Sequence, residues 1–167
     1  MRKLLVGAAV MAAGLVPVAL VASGAGAGTA AKGKPPIKLS GKVTNQGTAV
    51  ASGGSIELHQ DDFDYEPTFV QVPKGTTSVT VTVKNVGQAQ HTFTVPADHI
   101  DQVVNPGQTF VETVALPQKG AVGFYCRFHK SQGMQGAFFS KKGDKVVKAV
   151  SSTSGANTGG GGSSSGY

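Results

Sequence analysis

Ser78-Val79-Thr80-Val81-Thr82-Val83-Lys84 places three valines on one face of an extended chain and polar residues on the other. That period-two alternation is the signature of a half-buried β-strand, and the same punctuated pattern continues on both sides. Upstream, Ser55-Ile56-Glu57-Leu58-His59 alternates, and Thr68-Phe69-Val70-Gln71-Val72 follows Pro67 and ends at the turn Pro73-Lys74-Gly75-Thr76. Downstream, Asn85-Val86-Gly87 breaks the strand and His91-Thr92-Phe93-Thr94-Val95 resumes it. Asn105-Pro106-Gly107 then turns into Thr109 to Leu116, where Glu112 shares the parity of Phe110 and Val114 and spoils the alternation. Pro117 to Gly120 turns again before Ala121 to Cys126, and Gly136-Ala137-Phe138-Phe139-Ser140 can close the domain. Seven or so short strands with Gly/Pro turns and no helical stretch beyond the N-terminal apolar run predict an all-β fold, an antiparallel β-sandwich or barrel. Phe63, Phe69, Phe93, Phe110, Phe124 and Phe138 are the expected aromatic core.

The ends read differently. Met1-Arg2-Lys3 precedes an apolar run from Leu4 to Ala22, and Ala25-Gly26-Ala27 offers a small-residue cleavage site. Residues 1–27 are expected to be a signal peptide of the general secretory kind, so that the protein is exported: secreted, periplasmic or cell-wall associated. Gly7, Gly14 and Pro17 make the run a poor permanent anchor, and no membrane insertion is expected after cleavage. Residues 28–54, with Lys34-Pro35-Pro36, read as a spacer with room for one extra strand, Lys42-Val43-Thr44 being its candidate. Residues 55–150 form the domain. The tail 151–167 is Ser, Gly, Thr and Asn, too polar to offset its ordering entropy.

The 167 residues carry a formal charge of +6 with scattered lysines, which gives no nucleic-acid-binding stripe. The acidic run Glu57, Asp61, Asp62, Asp64 and Glu66 reads as solvated surface and lacks the spacing and glycine of an EF-hand calcium loop.

A single cysteine cannot form an internal disulfide, and an exposed thiol outside the cell would be oxidised. Cys126 is therefore expected to be buried, blocked or metal-bound, and its neighbours favour metal. Phe124-Tyr125-Cys126-Arg127-Phe128-His129-Lys130-Ser131-Gln132-Gly133-Met134-Gln135-Gly136 supplies a thiolate, an imidazole and a thioether from one loop. Soft sulfur with imidazole suits copper, and two histidines, a cysteine and a weak axial methionine make an electron-transfer site. His91, at the head of its strand, is the candidate for the second histidine.

These residues carry a resemblance. Asn85-Val86-Gly87 with His91-Thr92-Phe93, then Gly123-Phe124-Tyr125-Cys126, His129, Met134 and Gly136 in that order and spacing, resemble the small blue copper proteins, cupredoxins of the plastocyanin and pseudoazurin kind. The resemblance spans roughly Ser55 to Ser140. It implies an eight-stranded Greek-key sandwich with one copper ion near one end. It also implies His91, Cys126, His129 and Met134 as metal ligands, and a one-electron carrier cycling Cu(II) and Cu(I), not an enzyme. Two positions depart from the pattern: Thr92 stands where an asparagine is common, and Phe128 where a proline often precedes the second histidine. The Thr92 hydroxyl can still hydrogen-bond across to the ligand loop.

The other readings are separable. Cys126 and His129 lie too close in sequence for a known nucleophile–base signature, which argues against a cysteine hydrolase. Copper storage, delivery or sensing by the same ligands is the alternative to electron transfer, and a metal-free structural sandwich is the third. His59 and His99 read as surface histidines. An electron carrier of this kind implies a redox partner protein. Arg127 and Lys130 beside His129 predict that its docking surface is acidic, and the chain itself is expected to be a monomer.

Overall fold

The structure is a computed structural model that describes residues 32–149. The expected signal peptide and the polar tail lie outside the described residues. Ten strands follow in order: β1 (Thr48–Val50), β2 (Ser55–Asp61), β3 (Asp64–Glu66), β4 (Phe69–Gln71), β5 (Ser78–Asn85), β6 (His91–Val95), β7 (Ile100–Val104), β8 (Thr109–Ala115), β9 (Ala121–Tyr125) and β10 (Gln135–Phe139). Short 3-10 turns occupy Pro96–Asp98 and Lys130–Gln132. One sheet runs β1-β4-β10-β9-β6-β7 and the other β3-β2-β5-β8. The sandwich is the expected one, but pairing within it is mixed: β1 with β4, β10 with β4, and β2 with β5 are parallel.

The valine strand behaves as its alternation requires. Val79, Val81 and Val83 are buried on one face of β5, and Asn85 continues the same parity. They meet Leu58, Phe93, Val95, Phe124, Phe138 and Val114 in one core between the sheets. Phe124 is its hub, with ring centroids 5.0 Å from Tyr65, 5.6 Å from Phe93 and 5.0 Å from Phe138. Phe110, on the edge strand β8, packs against this core while staying partly exposed. Phe63 corrects the sequence expectation: it is 41% exposed and has φ 75°, because it sits at the tip of the two-residue turn between β2 and β3. Its place among the buried aromatics is taken by Phe139.

Residues 32–54 do more than connect. Ile37, Phe69, Ala121, Ala137 and Phe139 form a second apolar cluster on the outer face of the larger sheet, with Leu39 and Val43 packed against it. This explains why every residue of β10 is buried: Phe138 points into the sandwich and Phe139 into a cover laid down by the N-terminal segment. The extra strand is Thr48–Val50, not Lys42-Val43-Thr44. It is selected by β4, whose free edge takes Ala49 opposite Val70. A fully buried aliphatic side chain is worth about 1.5–3 kcal/mol. A chain beginning at Ser55 loses Ile37, part of the Leu39 and Val43 burial, and β1. It is expected to lose about 3 kcal/mol or more relative to one beginning at residue 32, a difference that denaturant midpoints would read directly.

Candidate metal centre

At one end of the sandwich the head of β6 meets the loop between β9 and β10. Asn85 shapes the approach: its amide donates to the carbonyls of Ala89 and Val104, at 2.8 and 2.9 Å, and its oxygen accepts from the Gly87 N–H. The chain then enters β6 with His91 fully buried. The facing loop is closed by its own backbone. The Cys126 N–H donates to the Met134 carbonyl at 3.0 Å, and the Met134 N–H donates to the His129 carbonyl at 3.2 Å. Gly133, with φ 111°, lets the loop pass against Thr44, since a Cβ there would stand 2.6 Å from the Thr44 hydroxyl. The Thr44 N–H donates to the Gly133 carbonyl, and the Gln135 amide donates to the carbonyls of Ser40 and Lys42. The supposed spacer thus clamps the outside of the ligand loop.

These constraints bring His91, Cys126 and His129 together as a trio able to hold a metal ion. The two imidazole Nδ1 atoms are 3.1 Å apart, and Cys126 Sγ lies 3.9 Å from His91 Nδ1 and 3.5 Å from His129 Nδ1. The centre of a triangle with those sides is about 2.0 Å from each corner, matching metal–nitrogen bonds of ~2.0–2.1 Å and slightly short of the ~2.3 Å of metal–sulfur. The donor set therefore fits the copper that the resemblance implies. Cys126 is a free, buried thiol, and Met134 is fully buried at the base of the same loop. Burial pushes the His91 imidazolium below its ordinary range, helped by His129 and opposed by Asp62, so the neutral ligand form is favoured. His129 is only partly buried. Phe63 meets its ring edge-on at 4.8 Å, and Phe128 lies 6.2 Å away, 45% exposed.

Thr92 organises the surroundings. Its N–H donates to Cys126 Sγ at 3.3 Å, and its carbonyl accepts from the Tyr65 hydroxyl at 2.6 Å and from the Gln60 amide at 3.1 Å. Its hydroxyl accepts from the Arg127 N–H at 2.9 Å, the cross-loop bond expected of it. The Thr94 hydroxyl donates to Asp101 at 2.8 Å, so the Thr92 hydroxyl is the donor in the 3.0 Å contact between the two threonines. The Arg127 guanidinium reaches back to Asp101 at 2.7 Å and closes the ring. Thr92→Val would leave the Arg127 N–H without this acceptor, for about 1–3 kcal/mol. Thr92→Ser should restore most of the loss, as denaturant unfolding of the metal-free protein would show.

Sequence reading missed Gln60, Tyr65, Asp62, Thr94 and Asp101. Asp62 takes the N–H groups of Gln88 and Ala89, both at 3.0 Å, and the bond from Ala89 is the main cause of its lowered pKa. His59 and His99 stay apart from the trio. His59 contacts Glu57 at 2.6 Å, and His99 is exposed with φ 56° after the Pro96–Asp98 turn.

A β-sandwich presenting two imidazoles and a buried thiol at one end is the architecture of a cupredoxin. The chain belongs to the cupredoxin-like domain family, whose model matches residues 36–138. No curated protein sequence matches the chain. Among solved structures it is similar to dithionite-reduced auracyanin of Roseiflexus castenholzii, with 22% identity and a TM-score of 0.47, over 54% of this chain and 98% of that one. It is also similar to auracyanin A, a blue copper protein of Chloroflexus aurantiacus, with 20% identity and a TM-score of 0.43 over 52% and 98% of the two chains. A third similarity is to the metal-binding domain of the Cu(I)-exporting P-type ATPase CopA of Streptococcus pneumoniae, with 16% identity and a TM-score of 0.48 over 58% and 98%.

Proposed function

We propose that the chain is an exported type I copper protein that carries single electrons; His91, Cys126 and His129 would hold the copper, and Met134 would add a weaker thioether donor. The observation that carries this reading is the convergence of both Nδ1 atoms on Cys126 Sγ within 3.9 Å. Bound copper would supply the Cu(II)/Cu(I) couple. The protein's part is to hold the donors still. The Thr92 N–H on Sγ, the ring through Thr94, Asp101 and Arg127, and the Met134 backbone bonds resist rearrangement. A site that does not reorganise passes an electron quickly.

Burial favours electron transfer over copper delivery. Cys126 and His91 are fully buried, so a partner's ligands cannot reach them without opening the loop. The His129 edge, flanked by Phe63 and Phe128, leaves a path for an electron but not for the ion. A redox partner would dock there. Of the two cations expected to attract an acidic surface, Arg127 already pairs with Asp101, while Lys130 lies 3.9 Å over the Tyr125 ring with no carboxylate partner among the described residues. Lys130 would carry the steering, acting on association rate more than on affinity. Export rests on the basic, apolar start of the chain. No helix among the described residues is long and apolar enough to cross a membrane.

The test is repeated reduction and reoxidation of the copper-loaded protein in the presence of a Cu(I) chelator. An electron carrier keeps its copper through many cycles. Transfer of the ion to the chelator on the first reduction would favour storage or delivery.

A further inference from the structure

The far side of the His91 ring has an unmet need. His91 Nε2 is buried and has no hydrogen-bond partner among the described residues. The acidic oxygen facing it is Asp62 Oδ1, 3.6 Å away. That is longer than a hydrogen bond, so the contact is one of a charge with a ring. The oxygen is held in place. It accepts the N–H groups of Gln88 and Ala89, and a Cβ on Gly87 would stand 2.5 Å from it. The turn between β2 and β3 and the loop leading into His91 are thus locked together through one carboxylate oxygen.

We propose that Asp62 is a positioning residue for His91. Its carboxylate favours the tautomer protonated on Nε2, which leaves Nδ1 free for the metal, and its charge stabilises the more positive, oxidised site. The inference rests on the copper reading above and adds a residue to it. Metal-bound histidines generally present their second nitrogen to an acceptor that fixes the ring and raises its basicity. Here the group facing that nitrogen is a carboxylate 3.6 Å away; it is itself exposed, so water screens part of its charge, but the ring it faces is buried.

Asp62→Asn separates charge from architecture, because its oxygen can still accept from Gln88 and Ala89. Loss of an outer-shell partner weakens metal binding by about 10–100-fold, and the loss should fall mainly on Cu(II). The expected result is a Cu(II)-to-Cu(I) affinity ratio about tenfold lower, read as a reduction potential about 59 mV higher for a one-electron couple. Asp64→Asn makes the same charge change in the same hairpin, but that carboxylate faces Gln46, so it should move the ratio less than about twofold. A second readout needs no copper: nitrogen NMR of the metal-free protein should find His91 protonated on Nε2. A ratio within twofold of the parent for Asp62→Asn, or a shift of the same size for Asp64→Asn, would overturn the electrostatic role. Protonation on Nδ1 in the metal-free parent would overturn the tautomer role. A parent that binds no copper would sink the copper reading, and the metal-free spectrum would still decide the tautomer.

Discussion

Cys126→Ser is expected to abolish the intense thiolate-to-copper absorption entirely. The change replaces one atom in a fully buried position, and the serine oxygen can still accept the Thr92 N–H that now points at Sγ. The fold should therefore survive, which makes the variant informative. What disappears is the soft donor: a hydroxyl is a poor ligand for copper, and two imidazoles remain. Retention of Cu(I) should fall by more than the roughly 10–100-fold typical of losing an outer partner. Absorption and competition with a Cu(I) chelator measure the two effects separately. A variant with the parent's colour would mean that the metal sits elsewhere.

The second large effect is on the fold. Phe124→Ala is expected to cost about 3–5 kcal/mol, the range for deleting a buried phenylalanine. Phe124 is 1% exposed and packs against Tyr65, Phe93 and Phe138, so it joins both sheets. The loss should not stop at stability. Phe124 lies two residues before Cys126 on β9, and Tyr65 holds the Thr92 carbonyl. A cavity there would loosen both supports of the thiol. Denaturant unfolding gives the first effect, and broadening of the copper absorption in the folded fraction gives the second. Phe128→Ala is the contrast, since that ring is exposed and carries no core packing.

The parts of the molecule that could be read from the chain are those where a periodic pattern meets burial. The valines of β5 alternate because one face is dry, and the reading of them as a strand needed nothing else. Cys126, His129 and Met134 stand out for a different reason: cysteine, histidine and methionine close together in one loop form a chemically rare combination. His91 is marked instead by its place at the head of a strand and by the resemblance. Strands β3 and β7 were not legible. Asp64-Tyr65-Glu66 hides one buried tyrosine among acids that face water, and β7 is an edge strand with Asp101 and Gln102 exposed. Neither has a pattern that stands out from a loop. The N-terminal cover failed for a third reason. Ile37, Leu39 and Val43 are ordinary residues in a Lys- and Pro-rich stretch, and only the outer face of the larger sheet gives them a use. Phe63 misled because an aromatic side chain usually marks a core. Here the turn conformation, φ 75°, directs it onto the edge of His129. The Asp62 and Asp101 contacts had no sequence signal, because each depends on a partner about 26 residues away brought in by strand pairing.

The most direct test of the central claim is a visible absorption spectrum of the protein, purified free of metal and titrated with one equivalent of Cu(II). The expected result is an intense blue or green thiolate-to-copper band that saturates at one copper per chain and bleaches with mild reductant. No such band, with Cys126 still reacting as a free thiol, would contradict it and leave a sandwich that has the ligand pattern without the redox chemistry.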